Sequence, residues 1–334
     1  MAIITVFNNK GGVGKTTLLC NLAAYIAQKK KKRIVIIDAD PQCNATAYLL
    51  PEKNVIDIYA SKAHDTIETF MEPLRRGKGY LANAPTPINS PRFGVDLLPG
   101  DPRLALSEDL LASDWKSVTS GDPRGLQTTY VFEDVVRHYR NYEHIFFDVG
   151  PSLGAINRSV LLASEFFLVP MSSDIFSLMA ISNISLSLIR WKKSLEKGLS
   201  EYKILEGDSF RVGGDEVDWK LKFLGYVRQQ YTAKTVSGKR QPVRAYDRIL
   251  KQAPAKIQSE LADKFPAKST KFRSLLGEIP NLHSVVPLSQ SAKAPIFGLK
   301  AKDGVVGAHF AKVDDAETIF KGIAKHLLDN LEDD

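Results

Sequence analysis

Only two cysteines, Cys20 and Cys43, occur in 334 residues, too few for a disulfide framework and wrongly spaced for a CxxC metal site. Zinc or an iron–sulfur cluster held within one chain is thereby disfavoured, and both thiols are expected to be reduced and semi-buried. No stretch approaches the roughly 18 uninterrupted apolar residues of a spanning helix, and the N-terminus lacks the basic region and apolar core of a signal peptide. A cytoplasmic protein is expected. Internal repeats and low-complexity tracts are lacking too. What is present, 44% apolar and 25% charged residues, suffices for a substantial core in one large α/β domain or two smaller ones.

Acidic residues are scarce in one region. Between Trp219 and Arg273 there are fourteen basic residues and three acids, an excess of eleven in a chain whose formal net charge is only +7. The remainder is therefore net acidic. Positive charge so localised points to an anionic partner such as nucleic acid.

Short segments rich in β-branched and aromatic residues predict buried parallel strands at 3–7, 34–37, 145–149, 166–170, 223–227 and 284–286, with a further strand at 95–98. Helical spacing falls between some of them, at 17–28 and 178–189. Alternation of this kind implies an α/β fold, a doubly wound, mostly parallel sheet flanked by helices whose ligands collect at the carboxyl edge. One domain spanning 1–334 is expected, with elaborations at about 51–140 and 194–280, the stretch 194–222 being read as a surface excursion.

Three polar motifs follow predicted strand ends. The first is Asn8-Asn9-Lys10-Gly11-Gly12-Val13-Gly14-Lys15-Thr16-Thr17. It departs from the phosphate-loop pattern G-x-x-x-x-G-K-[ST] because Asn9 stands at the first glycine, and Asn9 is expected to take the positive φ of a tight turn. Glycines here bring backbone N–H groups close to phosphate oxygens, and the following helix turns its positive end to the same anion. Lys15 is expected to reach the β- and γ-phosphates of a nucleotide and Thr16 to ligate Mg²⁺. The second motif ends a strand in Asp38 and Asp40, two carboxylates able to hold Mg²⁺ through water and orient an attacking water. The third ends another in Asp148, the form of a Walker B carboxylate, followed by Gly150-Pro151.

Lys10 has no obvious duty toward its own nucleotide but suits the phosphate of a nucleotide held by a second subunit. The run Lys10 to Thr17 resembles the deviant Walker A motif of the ParA/MinD superfamily, a class of P-loop NTPases, and residues 94–111, 166–181 and 284–298 resemble successive blocks of ParA-type partition ATPases. That resemblance implies a nucleotide sandwich dimer in which Lys10 crosses the interface. It implies that Asp40 positions the hydrolytic water, that Asp38 lies in the outer shell of the metal, and that the adenine is framed after the strand 223–227, at Gln229, and near Pro287. It implies slow ATP hydrolysis stimulated by a ParB-like or other adaptor, in the service of plasmid or chromosome partition or, alternatively, of positioning a non-DNA cargo or serving another multiprotein system, and nucleoid association through nonspecific DNA binding by the ATP-bound dimer. Lys239, Arg240, Arg244, Arg248 and Lys251 are the candidate DNA contacts, since Arg244, Arg248 and Lys251 would share one helix face. A membrane-bound, MinD-like role is not expected. The C-terminal apolar stripe, from Ile319 to Leu331, ends in an acidic tip that anionic lipid would repel, so core packing is its expected use.

Overall fold

The computed structural model describes residues 1–61, 65–172, 174–231, 233–236, 239–242, 244–282 and 284–332, of which residues 61 and 230–250 are described by backbone alone. The chain opens with β1 (Ala2–Val6), α1 (Lys15–Lys30) and β2 (Ile34–Asp38), followed by α2 (Asn44–Leu49), α3 (Glu52–Ser61) and α4 (Glu68–Arg75). An antiparallel pair, β3 (Ile88–Ser90) and β4 (Val95–Leu98), leads to α5 (Glu108–Val118), α6 (Pro123–Thr129) and α7 (Val131–His138). Then come β5 (His144–Asp148), α8 (Ala155–Ala163), β6 (Phe166–Ser172) and α9 (Ile175–Glu206). A hairpin of β7 (Arg211–Val212) and β8 (Asp215–Glu216) precedes β9 (Lys222–Tyr231), and a second hairpin joins β10 (Ala233–Val236) to β11 (Lys239–Pro242). The chain closes with α10 (Arg244–Ile257), β12 (Leu275–Pro280), α11 (Val285–Ala292) and α12 (His309–Leu331).

Eight strands form one sheet in the order β12-β9-β6-β1-β5-β2-β4-β3, parallel except for β3 at the edge. Because helices cover both faces, the central strands are apolar on both sides: β1, β2 and β5 are buried at every position. One core packs α1 and α12 against the sheet, with Ile4, Leu22, Ile36, Leu276 and Phe320 inside it. The other packs α7, α8 and the first half of α9, with Phe132, Phe147, Leu161, Phe167 and Ile184. Each such side chain contributes about 1.5–3 kcal/mol on leaving water. In α12, Phe320, Ile323 and Leu327 are buried, and Ile319, Leu328 and Leu331 pack against the same core. The C-terminal stripe is thus spent on the fold. Among the described residues, no helix is long and apolar enough to cross a membrane.

Two expectations need correction. Residues 284–286 are not a strand: Ser284 precedes α11, and Pro287 sits in its first turn, where the missing N–H costs nothing. The strand of this region is β12, whose Gly277 and Glu278 interrupt the apolar run that would have marked it. Nor is the stretch 194–222 a mere surface excursion. The helix α9 continues for 32 residues, to Glu206, and the β7–β8 hairpin folds back to build a third core, Phe210, Val212 and Val217 against Val118, Tyr130 and Leu195.

Candidate functional site: a glycine-lined cleft at the carboxyl edge

The order of strands brings the three motifs to one place. With β1 between β5 and β6, and β5 between β1 and β2, the loops after β1, β2 and β5 are neighbours, and in the ladder Asp38 pairs with Asp148. A cleft of about 510 Å³ opens there, lined by Gly11 to Thr17, Asp40, Gln42, Asn44, Tyr48, Pro151, Gln290 and Lys293. Gly11, Gly12, Val13, Gly14, Lys15, Thr16, Thr17 and Asp40 were expected from the sequence. The positions from α2 and α11 were not, since nothing in their types marks them until the two helices are known to meet, Tyr48 of α2 sharing a hydrogen bond with Ser289 of α11.

The loop turns by a route other than the one anticipated. Gly12 and Gly14 carry φ of 73° and 74°, whereas Asn9 is not among the described residues with positive φ. Asn8 takes over the turn: its Oδ1 accepts from the Lys10 N–H at 2.9 Å while its Nδ2 donates to the Pro170 carbonyl at 2.7 Å. A Cβ on Gly14 would stand 2.5 Å from Gln229 Oε1, so this glycine is needed for close approach as well as for its left-handed backbone.

Charge is buried in the cleft to an unusual degree. Lys15, first residue of α1, is only 8% exposed, and burial lowers its pKa against the pull of Asp148 and Asp40. Asp148 accepts from the Thr16 hydroxyl at 2.8 Å through Oδ2, while its buried Oδ1 has no partner among the described residues. Burial, and then the neighbouring Asp38 charge, hold this carboxyl well above its usual range. An unpartnered carboxylate oxygen beside a threonine hydroxyl is a donor set of the hard, oxygen-only kind that suits Mg²⁺.

Asp38 sits behind this layer. Its Oδ2 accepts from Thr46 N and Oγ1 at 2.8 and 2.7 Å, its Oδ1 from Asp40 N at 3.3 Å, and it does not line the cleft. Burial raises it to about 6 despite the bonds from Thr46. It ties the start of α2 to the strand end and so fixes the backbone that carries Asp40. Gly150, next in line after Asp148 and Val149, keeps Asp40 free of crowding, since a Cβ there would lie 3.3 Å from its Oδ1.

Lys10 points out of the loop. In the single chain its Nζ pairs with Asp174 Oδ2 and lies 3.5 Å from Ser172 Oγ, with about 29% of the side chain exposed. Asp174 caps α9, its Oδ1 accepting from Ser177 N at 3.1 Å. Burial would raise Asp174, but the hydrogen bonds from Lys10 and Ser177 outweigh it and hold the carboxyl below its usual value. The sequence carried a signal for Asp174 that was not read, an N-cap aspartate before a helix.

Next to the cleft and sharing Gly14 and Thr17 with it, an apolar pocket of about 240 Å³ is lined by Leu18, Gln229, Ile279, Pro280, Asn281, Leu282, Val286, Pro287, Ile296 and Phe320. Gln229 and Pro287 therefore come together as expected. Gln229 is 4% exposed, and its Nε2 donates to Gly14 O at 3.4 Å. Of the candidate DNA contacts, Lys251 is exposed on α10. The side chains of Lys239, Arg240, Arg244 and Arg248 lie outside the described residues; their backbones belong to β11 and α10.

Sheet order, loop and cleft define a P-loop protein of the deviant Walker A class. Residues 1–200 match the family described as AAA domain. The chromosome-partitioning ATPase Soj of Thermus thermophilus is 30% identical over 204 residues, 60% of this chain and 67% of that protein. Among solved structures, protein DIP2308 from Corynebacterium diphtheriae is 32% identical, with a TM-score of 0.72 over 88% of this chain and 97% of that one. An ATP complex of McdA from Cyanothece, 16% identical, shares the fold with a TM-score of 0.60 over 98% of this chain and 96% of that one. The chain belongs to the ParA-type partition ATPases of the ParA/MinD group.

Proposed function

We propose that this chain is an ATP-dependent dimerising switch that hydrolyses ATP slowly and, when stimulated by an adaptor, drives partition of a plasmid or chromosome. The observation that carries the reading is the free Oδ1 of Asp148 beside the Thr16 hydroxyl, under a glycine loop whose lysine is buried. Thr16 and Asp148 would hold Mg²⁺, with Asp38 in the outer shell; the ion, when bound, neutralises charge on the β- and γ-phosphates. Lys15 engages the same phosphates, the loop N–H groups cradle them, and Gln229 and Pro287 flank the base. Asp40, at the wall of the cleft, orients the attacking water.

Lys10 completes the partner's site. In the lone chain it already has a carboxylate in Asp174, so dimerisation must exchange that ion pair for the partner's phosphate. The exchange is favourable only when a triphosphate is present, which makes association depend on nucleotide. The basic residues of β11 and α10 follow β9 past the carboxyl edge, on the side of the sheet that holds the nucleotide, and the dimer would present them to a phosphate backbone.

Sedimentation of the full chain with Mg²⁺ and a non-hydrolysable ATP analogue tests the core of this reading. A dimer is expected for the wild type and a folded monomer for Lys10→Ala; an unchanged dimer in the variant removes Lys10 from the mechanism. DNA binding is expected only in the ATP state, falling steeply with salt and weakened uniformly across sequences by Arg244→Ala or Arg248→Ala. Equal binding with ADP refutes the DNA step.

A further inference from the structure

The far end of α9 carries a second cavity, remote from the nucleotide cleft. The helix starts at the carboxyl edge, after β6, and at 1.5 Å per residue its 32 residues run about 48 Å, to the opposite end of the sheet where β9 begins. There α9 and the β7–β8 hairpin enclose a groove of about 410 Å³, lined by Leu199, Phe210, Val217 and Trp219 on the apolar side. The polar side is Glu196, Glu216 and Asp218 against one cation, Lys203. Among the described residues Glu196 has only a long, exposed pairing with Lys192, at 3.8 Å, and Glu216 and Asp218 have no ion pair.

The walls are fixed in advance. Phe210 stacks on buried Tyr130 at 6.1 Å and meets Tyr202 edge-on at 5.2 Å, and Trp219 packs on Phe265 at 6.2 Å. Ordering the groove therefore costs a ligand little. Charge around it is equally one-sided: residues 194–218 hold seven acids and three bases, directly before the stretch with its excess of eleven positive charges. Acid of this density repels a nucleic-acid backbone, so the groove is not an extension of the basic surface.

We infer that this groove is a docking site for a basic peptide segment of another protein, one that places arginine or lysine against Glu196, Glu216 and Asp218 and an apolar side chain on Phe210, Val217 and Trp219. The partly exposed indole of Trp219 adds a face on which a guanidinium can stack. The site does not depend on the nucleotide reading, and it leaves the candidate DNA contacts of β11 and α10 free to be used at the same time.

The test is titration of the full chain with a fluorescein-labelled synthetic peptide of alternating arginine and leucine, followed by anisotropy, with a glutamate–leucine peptide as counterpart. The arginine peptide is expected to bind and to weaken with salt. The triple variant Glu196→Lys, Glu216→Lys, Asp218→Lys is expected to lose at least about tenfold in affinity, because it sets like charges against the basic peptide. These side chains are exposed, so the variant is expected to melt with the wild type. Trp219→Phe, which keeps an aromatic ring against Phe265, should abolish the peptide-induced change in tryptophan emission. No binding to the wild type, equal binding to the triple variant, equal binding of the acidic peptide, or an emission change that survives Trp219→Phe each overturns the inference. Nucleotide-free self-association of the wild type that the triple variant abolishes also overturns it, assigning the groove to a second copy of this chain.

Discussion

The two ends of β5 make opposite use of the same burial. At the amino edge His144 is 9% exposed and its Nδ1 has no partner among the described residues; burial pushes its pKa down to about 4, so the ring stays neutral. At the carboxyl edge Asp148 is fully buried with an unpartnered Oδ1, and burial pushes its pKa up. Both groups resist charging, but only the acid stands in a cleft with a buried lysine, a threonine hydroxyl and a second strand-end carboxylate. An orphaned polar atom therefore marks a ligand site only when complementary groups surround it; alone, it records a cost of packing.

The sharpest way to break this contrast is to discharge the carboxyl end. Asp148→Asn is expected to remove the Mg²⁺ dependence of nucleotide binding and to lower ATP turnover by about a hundredfold or more. The nucleotide-free chain should melt close to the wild type, because burial already opposes ionisation of Asp148 and the amide keeps an oxygen to accept from the Thr16 hydroxyl. A thermal shift that still responds to Mg²⁺ would deny Asp148 its role. Lys15→Ala should cost turnover similarly and abolish the melting shift produced by ATP, read in the same assay.

Backbone changes rank next. Gly14→Ala meets both a left-handed φ and Gln229 at 2.5 Å, whereas Gly12→Ala meets strain alone, with nothing within 4 Å. Denaturant unfolding should show a loss of about 2–3 kcal/mol for the first and about 1 kcal/mol for the second. Equal losses would mean that contact with Gln229 contributes nothing.

The smallest effect sharpens the contrast at the amino end. A histidine whose pKa is depressed from 6.5 to about 4 adds stability that is fully present above pH 6.5 and is lost as pH falls toward 4. His144→Phe should flatten the acid limb of the stability curve over that window by up to about 1.4 kcal/mol per pH unit. Asp38, raised from 3.8 to about 6, acts in the opposite sense, its contribution being present below pH 3.8 and lost as pH rises through 6. An unchanged slope in the His144 variant would show that the ring already titrates freely.

What the sequence made legible follows from the range of the forces involved. The phosphate loop and the strand ends at Asp38 and Asp148 are local patterns or lie beside strands of continuous apolar character, whereas the expectation that Gln229 and Pro287 flank one pocket comes from the family resemblance alone. Asn9 misled because tolerance of positive φ is a property of the residue type, whereas Asn8 won the turn through a bond to Pro170, 162 positions away. The strand β12 was missed because Gly277 and Glu278 break its pattern, and the groove because its walls, Leu199, Phe210, Val217 and Trp219, are scattered singly and meet only when α9 runs on past the sheet. Asp174 was visible as a helix cap, but its hold on Lys10 is set by the close of β6 and the loop after β1.

The doubly bonded side chain of Asn8 has one further consequence. It rivets the backbone at Lys10 to the neighbouring strand, so the aliphatic arm beyond that rivet can change hands between Asp174 and another acceptor without the loop itself being remade. With that pivot fixed, the exchange of partners proposed for Lys10 would need only a side-chain rotation, a movement open to rotamer exchange on the nanosecond scale.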